Sequence, residues 1–252
     1  MTRSGGIALE RTSERAGRAD VVLAIPPVNV LSAEHLDELS AAVRAASPAR
    51  LLVLSGVPRA FCAGVDVADH VPEPARIDRM LAAMRRVLEA LVESDAVTLA
   101  AVSGACLGGG AEIVSACDLV LVAEDARIGF PEIRLACFPP GAAALLPARI
   151  GEARSAEWIL TGRAVSGREA AEAGFASRAV PAQRLKEETD ALAGRVLAAA
   201  PAALSAARQL LRRTRREALA SRLPAAEQAY RALAGDADLE RAVREFGERR
   251  GR

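Results

Sequence analysis

Aromatic residues and lysine are scarce in this sequence of 252 residues. It contains five phenylalanines, one tryptophan and one tyrosine, and a single lysine, Lys186, stands among 33 basic residues. Because 51% of the residues are nevertheless hydrophobic, the chain can bury a full core packed with Ala, Leu, Val and Ile. Disordered and fibrous classes of protein are therefore excluded.

The sequence also lacks an excess of charge and a set of metal ligands. Lys+Arg total 33 and Asp+Glu total 32, and a net charge of +1 does not supply the massed positive charge of a general nucleic-acid binder. The four cysteines have no C-x-x-C spacing, and neither His35 nor His70 accompanies a cysteine pair. We therefore expect no metal and no nucleic-acid partner.

No apolar run is long enough for a membrane span, because Arg, Asp or Glu interrupts each run before about 18 residues. The first six residues have no apolar segment of the kind that directs secretion. The sequence therefore predicts a cytoplasmic protein with reduced thiols and no membrane partner.

Short apolar runs alternate with helical patterns, which indicates an α/β fold. The predicted strands are 21–25, 51–55, 97–103 and 119–123, and the predicted helices among them are 33–46, 76–93 and 109–117. Beyond Pro181 the strand signals end, and helices are predicted at 182–199, 202–213, 224–234 and 238–247. Within this region the arginine-rich run 212–216 is interpreted as a solvated helix face rather than a phosphate site.

Two glycine turns carry the signal of a ligand site. Three glycines at 108–110 follow the strand 97–103 and open a predicted helix, where backbone N–H groups and the helix dipole can face an anion. A second turn, FCAGVD at 61–66, follows the strand 51–55. Backbone N–H groups from two such turns can converge on one carbonyl oxygen and stabilise an enolate. Tight packing of a helix on a strand is the alternative explanation for these glycines.

Two acidic residues lie downstream of these turns. Glu112 is just inside the glycine-capped helix, and Glu132 follows in the segment GFPE. An oxyanion pocket with two carboxylates would be a proton-transfer site. Taken singly, Glu112 could instead complement the helix N-terminus, and Glu132 could be an acid of a surface loop.

Several linked motifs connect these turns and acids. They are RAFCAGVD at 59–66, GACLGGGAE at 104–112, CDL at 117–119, FPE at 130–132 and LTGR at 160–163. Their order and spacing resemble those of the crotonase, or enoyl-CoA hydratase/isomerase, family. The resemblance implies a spiral core of ββα units over residues 1–195 and a C-terminal helical trimerisation region over residues 196–252. It also implies an acyl-CoA thioester substrate, with coenzyme A as part of the substrate and no separate cofactor.

The resemblance assigns roles to particular residues. The backbone N–H groups of Val65 and Gly109 would form the oxyanion hole, and Glu112 and Glu132 would be the two catalytic acids. Retention of both acids favours addition or elimination of water, because isomerases of the family often lack one of them. Further substrate contacts are expected at Ala63, Asp66, Ala68, Gly108, Phe138, Pro139, Ala143 and Phe246.

The segment after Glu132 departs from the family pattern. Hydratases commonly have Gly-Gly-Thr-Gln there, whereas this chain has ACFPPGAAALLP at 136–147. The side chains of residues 138–146 should therefore line the acyl end, and the pair Pro139-Pro140 favours a fixed wall. Ala68 stands where many members have a lysine near the adenine, and Ser103 stands where an asparagine is usual, so the coenzyme A contacts differ as well.

The leading prediction is an enoyl-CoA hydratase, a lyase that adds water to an α,β-unsaturated acyl-CoA. The patterns GVDVADH at 64–70 and LACFPP at 135–140 are most similar to cyclohexa-1,5-diene-1-carbonyl-CoA hydratases, which implies a cyclic dienoyl-CoA. A double-bond isomerase and a non-catalytic scaffold or RNA-binding protein of the same fold remain as alternatives. The family resemblance also predicts a homotrimer or a dimer of trimers, with Phe246 near the coenzyme A of a neighbouring subunit.

Overall fold

The computed structural model of the chain describes residues 6–11, 17–57, 59–67 and 73–250. Its strands are β1 (Gly6–Arg11), β2 (Arg18–Ala24), β3 (Val30–Leu31), β4 (Leu51–Gly56), β5 (Ala60–Cys62), β6 (Gly64–Val65), β7 (Val97–Val102), β8 (Ala105–Leu107), β9 (Leu119–Ala123), β10 (Arg127–Gly129), β11 (Ala164–Ser166) and β12 (Arg178–Val180). Its α-helices are α1 (Ala33–Ala46), α2 (Pro74–Glu93), α3 (Gly109–Ala116), α4 (Pro140–Ile150), α5 (Glu152–Thr161), α6 (Gly167–Glu172), α7 (Leu185–Ala198), α8 (Pro201–Leu211), α9 (Arg213–Arg231) and α10 (Ala237–Arg250). Two 3₁₀ turns cover Pro131–Leu135 and Ala182–Arg184.

A six-stranded sheet in the order β1-β2-β4-β7-β9-β12 forms the centre of the molecule. The strands from β2 to β12 run parallel, and β1 pairs antiparallel with β2 at one edge. Every residue of β7 is buried, as expected for a parallel sheet that is covered on both faces. Parallel neighbours need crossover connections, and α1, α2 and α3 lie in the chain between successive strands of this sheet.

The ends and apolar faces of α1 and α2 follow directly from their sequences. Ser32 caps α1, because its hydroxyl accepts the backbone N–H of His35 while the His35 ring accepts the backbone N–H of Ser32. In α2, Pro74 occupies the first turn, where its missing N–H costs nothing. Met80 and Met84 belong to the buried stripe of α2.

Two smaller sheets bring the glycine turns together. One has the order β11-β10-β8-β5, and the other is the pair β3-β6. Because β8 runs parallel to both β5 and β10, the carboxyl ends of these three strands lie at the same edge. The backbone N–H of Gly108 donates to the Gly129 carbonyl oxygen at 2.9 Å, which joins the chain after β8 to the chain after β10.

Most of the predicted elements are confirmed. The predicted strands and the first three predicted helices agree with β2, β4, β7, β9, α1, α2 and α3 to within three residues at each end. The α/β prediction and the change to helices after Pro181 are likewise confirmed. The predicted helix 224–234 is wrong at its start, because Pro224 lies inside the longer helix α9 instead of opening a new one.

The interpretation of the run 212–216 as a solvated helix face is wrong for two of its arginines. The Arg212 guanidinium donates to the Ser94 carbonyl oxygen at 2.6 Å, beyond the C-terminus of α2, where the unpaired carbonyls attract a cation. Arg215 forms an ion pair with Asp118, which also pairs with Arg208 at 2.6 Å. These contacts fasten α8 and α9 to the central sheet.

The C-terminal helices pack closely on the rest of the chain. Helix α9 packs against α4 and α2, and α10 contacts the turn Pro131–Leu135. The predicted boundary between residues 195 and 196 falls inside α7, and the division into a core and a C-terminal region stays a prediction. Within the ranges described above, no helix is long and apolar enough to span a lipid bilayer.

Candidate active site

The start of helix α3 lies directly beside strand β6. Gly108 precedes the helix with a φ of +52°, a backbone conformation that L side chains rarely adopt. A Cβ atom on Gly109 would lie 2.6 Å from Val65 Cγ2 and 3.6 Å from the Val65 backbone nitrogen, so the two backbones approach closely. As the first residue of α3, Gly109 has no carbonyl within the helix for its N–H to reach. Two backbone nitrogens thus lie side by side at the ends of separate strands.

Glu112 lies one turn further along α3 and is almost completely buried. Its Oε1 accepts the backbone N–H of Ala142 at 3.0 Å, a contact that comes from the start of α4. A Cβ atom on Gly141 would lie 2.9 Å from the same oxygen, so the glycine leaves room for this carboxyl. Helix α4 therefore fixes Glu112 from the opposite side of the site.

Glu132 approaches from the 3₁₀ turn that follows β10, and 9% of its surface is exposed. Its Oε1 lies over Gly108, where a Cβ atom would be only 2.6 Å away. Its Oε2 is buried and has no hydrogen-bond partner among the described residues. A buried carboxyl oxygen without a partner is costly unless the group keeps a proton or meets a ligand.

Burial and mutual repulsion favour a shared proton on these two acids. Burial raises the pKa of Glu112, while N–H donors from Ala142 and Gly141 act in the opposite direction. Burial also raises the pKa of Glu132, and the negative charge of Glu112 raises it further. A hydrogen bond from its own backbone N–H acts in the opposite direction on Glu132. Because the charge of Glu112 adds to burial at Glu132, the proton of the pair resides mainly on Glu132.

Val65, Gly109, Glu112 and Glu132 all line one cavity of about 310 Å³. Seven of the predicted site residues besides the two acids lie on its wall, namely Ala63, Val65, Gly108, Gly109, Phe138, Pro139 and Phe246. Phe246 lines the cavity of its own chain. Its expected contact with the coenzyme A of a neighbouring subunit stays a prediction.

Two predicted contacts do not join this group, and a third, Ala68, lies outside the described residues. Asp66 follows β6, where its backbone N–H donates to the Leu31 carbonyl oxygen, and it is not among the described residues that line the cavity. Ala143 is also absent from that wall, because α4 begins at Pro140 and its rise carries Ala143 about 4.5 Å further along the helix.

Tyr230 also lines this cavity, although no sequence pattern predicted it. Tyr230 is the only tyrosine of the chain, is almost fully buried in α9, and packs its ring against Phe138 with centroids 5.7 Å apart. The only feature of the sequence that could have indicated this role is that Tyr230 is the single aromatic residue of α9, a helix rich in Arg and Ala. Met80 also lines the cavity, in addition to its place in a buried apolar cluster.

Two buried carboxyls beside two adjacent backbone nitrogens can perform acid–base chemistry next to a carbonyl group. This combination defines an acid–base enzyme whose substrate carries a carbonyl. A family model described as enoyl-CoA hydratase/isomerase matches residues 13–252, and the chain belongs to this family of enzymes.

Individual relatives agree with the family match. A probable enoyl-CoA hydratase from Bacillus subtilis is 33% identical over 193 residues, which cover 74% of this chain and 75% of that protein. The cyclohexa-1,5-dienecarbonyl-CoA hydratase of Thauera aromatica is 34% identical over 150 residues, covering 58% of this chain and 57% of that protein. The crystal structure of an enoyl-CoA hydratase subunit from Geobacillus kaustophilus has a TM-score of 0.76 and 32% identity, covering 92% of this chain and 89% of that chain. The predicted family and its fold are confirmed.

Substitution of Gly109 tests the close approach of the two backbones. In Gly109→Ala the new methyl group must displace Val65, a stiff β-branched residue, and we expect turnover of an enoyl-CoA to fall about 100-fold. The matched control is Gly194→Ala on α7, where a Cβ atom meets nothing within 4 Å. The control should keep full turnover. Equal turnover in both variants would contradict the assignment of Gly109.

Proposed function

We propose that the protein is an enoyl-CoA hydratase that adds water across the conjugated double bond of an acyl-CoA thioester. The observation that supports this most strongly is the pair of buried carboxyls, Glu112 and Glu132, on one cavity wall with the Val65 and Gly109 backbone nitrogens. A hydratase needs one group to take a proton from water and another to deliver a proton to carbon. Coenzyme A enters as part of the substrate, and the proposed reaction uses no other cofactor.

The thioester carbonyl would accept hydrogen bonds from the backbone N–H groups of Val65 and Gly109. These donors are held by the backbone, so they need no reorganisation as negative charge develops on the oxygen. Withdrawal of electrons towards this oxygen makes C3 of the enoyl group electrophilic. In enzymes that use an oxyanion hole, loss of one donor typically costs about 2.7–4 kcal/mol of transition-state stabilisation.

The surroundings of the two acids assign their roles. Glu112 accepts the Ala142 N–H and lies in the first turn of α3, and both features stabilise its anion. It therefore takes a proton from water as the water oxygen bonds to C3. Glu132, whose pKa is raised by burial and by the charge of Glu112, delivers its proton to C2. Transfer of the proton from Glu112 back to Glu132 completes the cycle, with one water molecule added.

A double-bond isomerase is the alternative within the same family. It would pass through the same enolate, with one carboxyl carrying a proton between two carbons, and the bond to water would not form. The second buried carboxyl favours the hydratase, because proton transfer between carbons requires only one such group. A scaffold or RNA-binding role is disfavoured by the intact acid pair and by the net charge of +1.

Conservative replacement of each acid tests these roles. Glu112→Gln and Glu132→Gln should each lower turnover by at least about 100-fold with little loss of acyl-CoA binding, as expected for general acid–base groups. Near-normal turnover in either variant would contradict the role of that residue.

The reaction type is tested separately, by measuring the mass of the product that the wild type forms in heavy-oxygen water. A product that gains one water molecule with the heavy oxygen supports hydration, and an isomerised product without that mass gain would contradict it.

We further propose a compact, cyclic dienoyl group as the preferred acyl chain. Part of the cavity lining is apolar and includes Phe138, Pro139, Pro140 and Tyr230. Pro139 and Pro140 lie at the start of α4, where they lack N–H donors and fix the backbone. The named activity of the Thauera aromatica relative supports the same substrate class.

The acyl preference is tested by comparing kcat/KM for a cyclic dienoyl-CoA with that for crotonyl-CoA. We expect the cyclic substrate to be preferred, because a ring buries more apolar surface at about 25 cal/mol per Å². Phe138→Ala should reduce this preference more than it reduces turnover of crotonyl-CoA. Equal or better use of crotonyl-CoA by the wild type would contradict the cyclic substrate while leaving the hydratase proposal intact.

The assembly and location of the protein belong to the proposal as well. A homotrimer or a dimer of trimers agrees with the family resemblance, and the exposed apolar side chains of Leu210 and Leu211 on α8 would suit such a contact. A cytoplasmic location is proposed from the sequence alone.

A further inference from the structure

We propose that Tyr230 and Cys137 form a hydrogen-bonded chain that positions Glu132, so that helix α9 controls the placement of the catalytic acid. The inference rests on the proposed function of Glu132. It adds two positioning residues, which act on the Glu132 carboxyl through the backbone of Glu132.

The first link joins Cys137 to Glu132. The Cys137 thiol donates to the Glu132 carbonyl oxygen at 3.4 Å, and the Cys137 backbone N–H reaches the same oxygen at 3.3 Å. Between them, Ala136 ends the 3₁₀ turn in the left-handed conformation with a φ of +56°. Such a conformation is unfavourable for alanine and persists only where the surroundings hold it. Both donors of Cys137 thus hold a turn that would otherwise relax.

The second link joins Tyr230 to Cys137. Both side chains belong to the same buried apolar cluster, and in the proposed chain the Tyr230 hydroxyl donates to the Cys137 sulfur. Burial raises the pKa of both groups, that of Cys137 to about 12, so hydroxyl and thiol keep their protons at neutral pH. A protonated hydroxyl can donate to the sulfur while the thiol donates to the carbonyl. The order of donation is therefore Tyr230 to Cys137 to Glu132.

Tyr230 is itself held firmly at the end of α9. Its ring packs against Phe138 and belongs to a small apolar cluster that also contains Cys137 and Met80. One turn earlier on α9, the buried carboxylate of Glu227 forms an ion pair with Arg85 of α2. A buried, paired carboxylate of this kind resists displacement of the helix. The chain of hydrogen bonds therefore starts from a fixed point.

Support of the Glu132 backbone matters because the Glu132 carboxyl itself has few hydrogen-bond partners. Its Oε2 has no hydrogen-bond partner within the described part of the chain, whereas the Glu112 carboxyl is held by Ala142. The position of the Glu132 carboxyl therefore depends on the backbone that carries it. A displacement of a catalytic group by about 1 Å can cost about 100-fold in rate.

Four variants test the chain of hydrogen bonds. Cys137→Ala and Tyr230→Phe each remove one link and should lower kcat about 10-fold, with KM changed by less than about twofold. Cys137→Ser keeps a donor and an acceptor at this position and should recover most of the loss. The kcat of the double variant Cys137→Ala/Tyr230→Phe should be no lower than that of the less active single variant. Both substitutions interrupt the same hydrogen-bonded chain, so their effects should not add.

The matched control is the pair Cys117→Ala and Cys117→Ser. Cys117 is equally buried and its thiol also reaches a carbonyl oxygen, that of Ile113, but it lies in the loop after α3 and does not line the cavity. Its two variants should have equal kcat, and thermal unfolding of every variant verifies that it is folded.

The outcomes separate the two proposals. Rescue by serine at position 137, together with the non-additive double variant, supports the positioning chain. If the wild type turns over an enoyl-CoA but Cys137→Ser is no better than Cys137→Ala, or Tyr230→Phe keeps full kcat, the positioning chain is overturned and the hydratase proposal stands. Failure of the wild type to turn over any enoyl-CoA would overturn the proposed function and the positioning role with it.

Discussion

The burial of Glu112 and Glu132 within one cavity is the constraint on which the rest of the site depends. Two neighbouring carboxylates cannot both remain charged in an apolar cavity without a large cost, so the pair retains a proton. Because glycine has no side chain, Gly108 leaves room for the Glu132 carboxyl and Gly141 leaves room for the Glu112 carboxyl. N–H donors from the start of α4 then make the two acids unequal. In the proposed reaction this inequality lets one acid serve as the base and the other as the acid.

The C-terminal helices complete this cavity. Tyr230 of α9 and Phe246 of α10 lie on its wall with Phe138, so three of the few aromatic side chains of the chain are gathered at one place. Arg212 and Arg215 fasten the start of this region to the end of α2 and to Asp118. The region is therefore part of the candidate site.

The elements near the site differ in how far the sequence predicts them. Helix α1 and strand β9 agree with their predicted bounds, because a capping serine and a fully apolar run are local signals. Strands such as β5, β6 and β8 have only two or three residues, and they exist through pairing with distant strands, so no local pattern indicates them. Helix α4 was hidden by Pro140 and Gly141, which resemble a turn although Pro140 fits the first position of a helix.

The same distinction applies to functional residues. Glu112, Glu132 and Gly109 were predictable, since they lie in linked motifs of fixed spacing. Tyr230 lies far along the chain in no such motif, and only the packing of α9 against α2 and α4 brings it to the cavity. Ala143 was predicted as a contact from its nearness in sequence to Glu132, and the path of α4 carries it off the cavity wall.

The shared proton is tested most directly by infrared difference spectroscopy of the wild type against Glu132→Gln. Burial and the charge of Glu112 raise the pKa of Glu132, so the wild type should show the band of a protonated carboxylic acid at neutral pH. That band should be weaker in Glu132→Gln, where only Glu112, with its own pKa raised by burial to about 7, can contribute to it. In the wild type the band should disappear as the pH rises through the raised pKa. A wild-type spectrum with only ionised carboxylates at neutral pH would contradict the account.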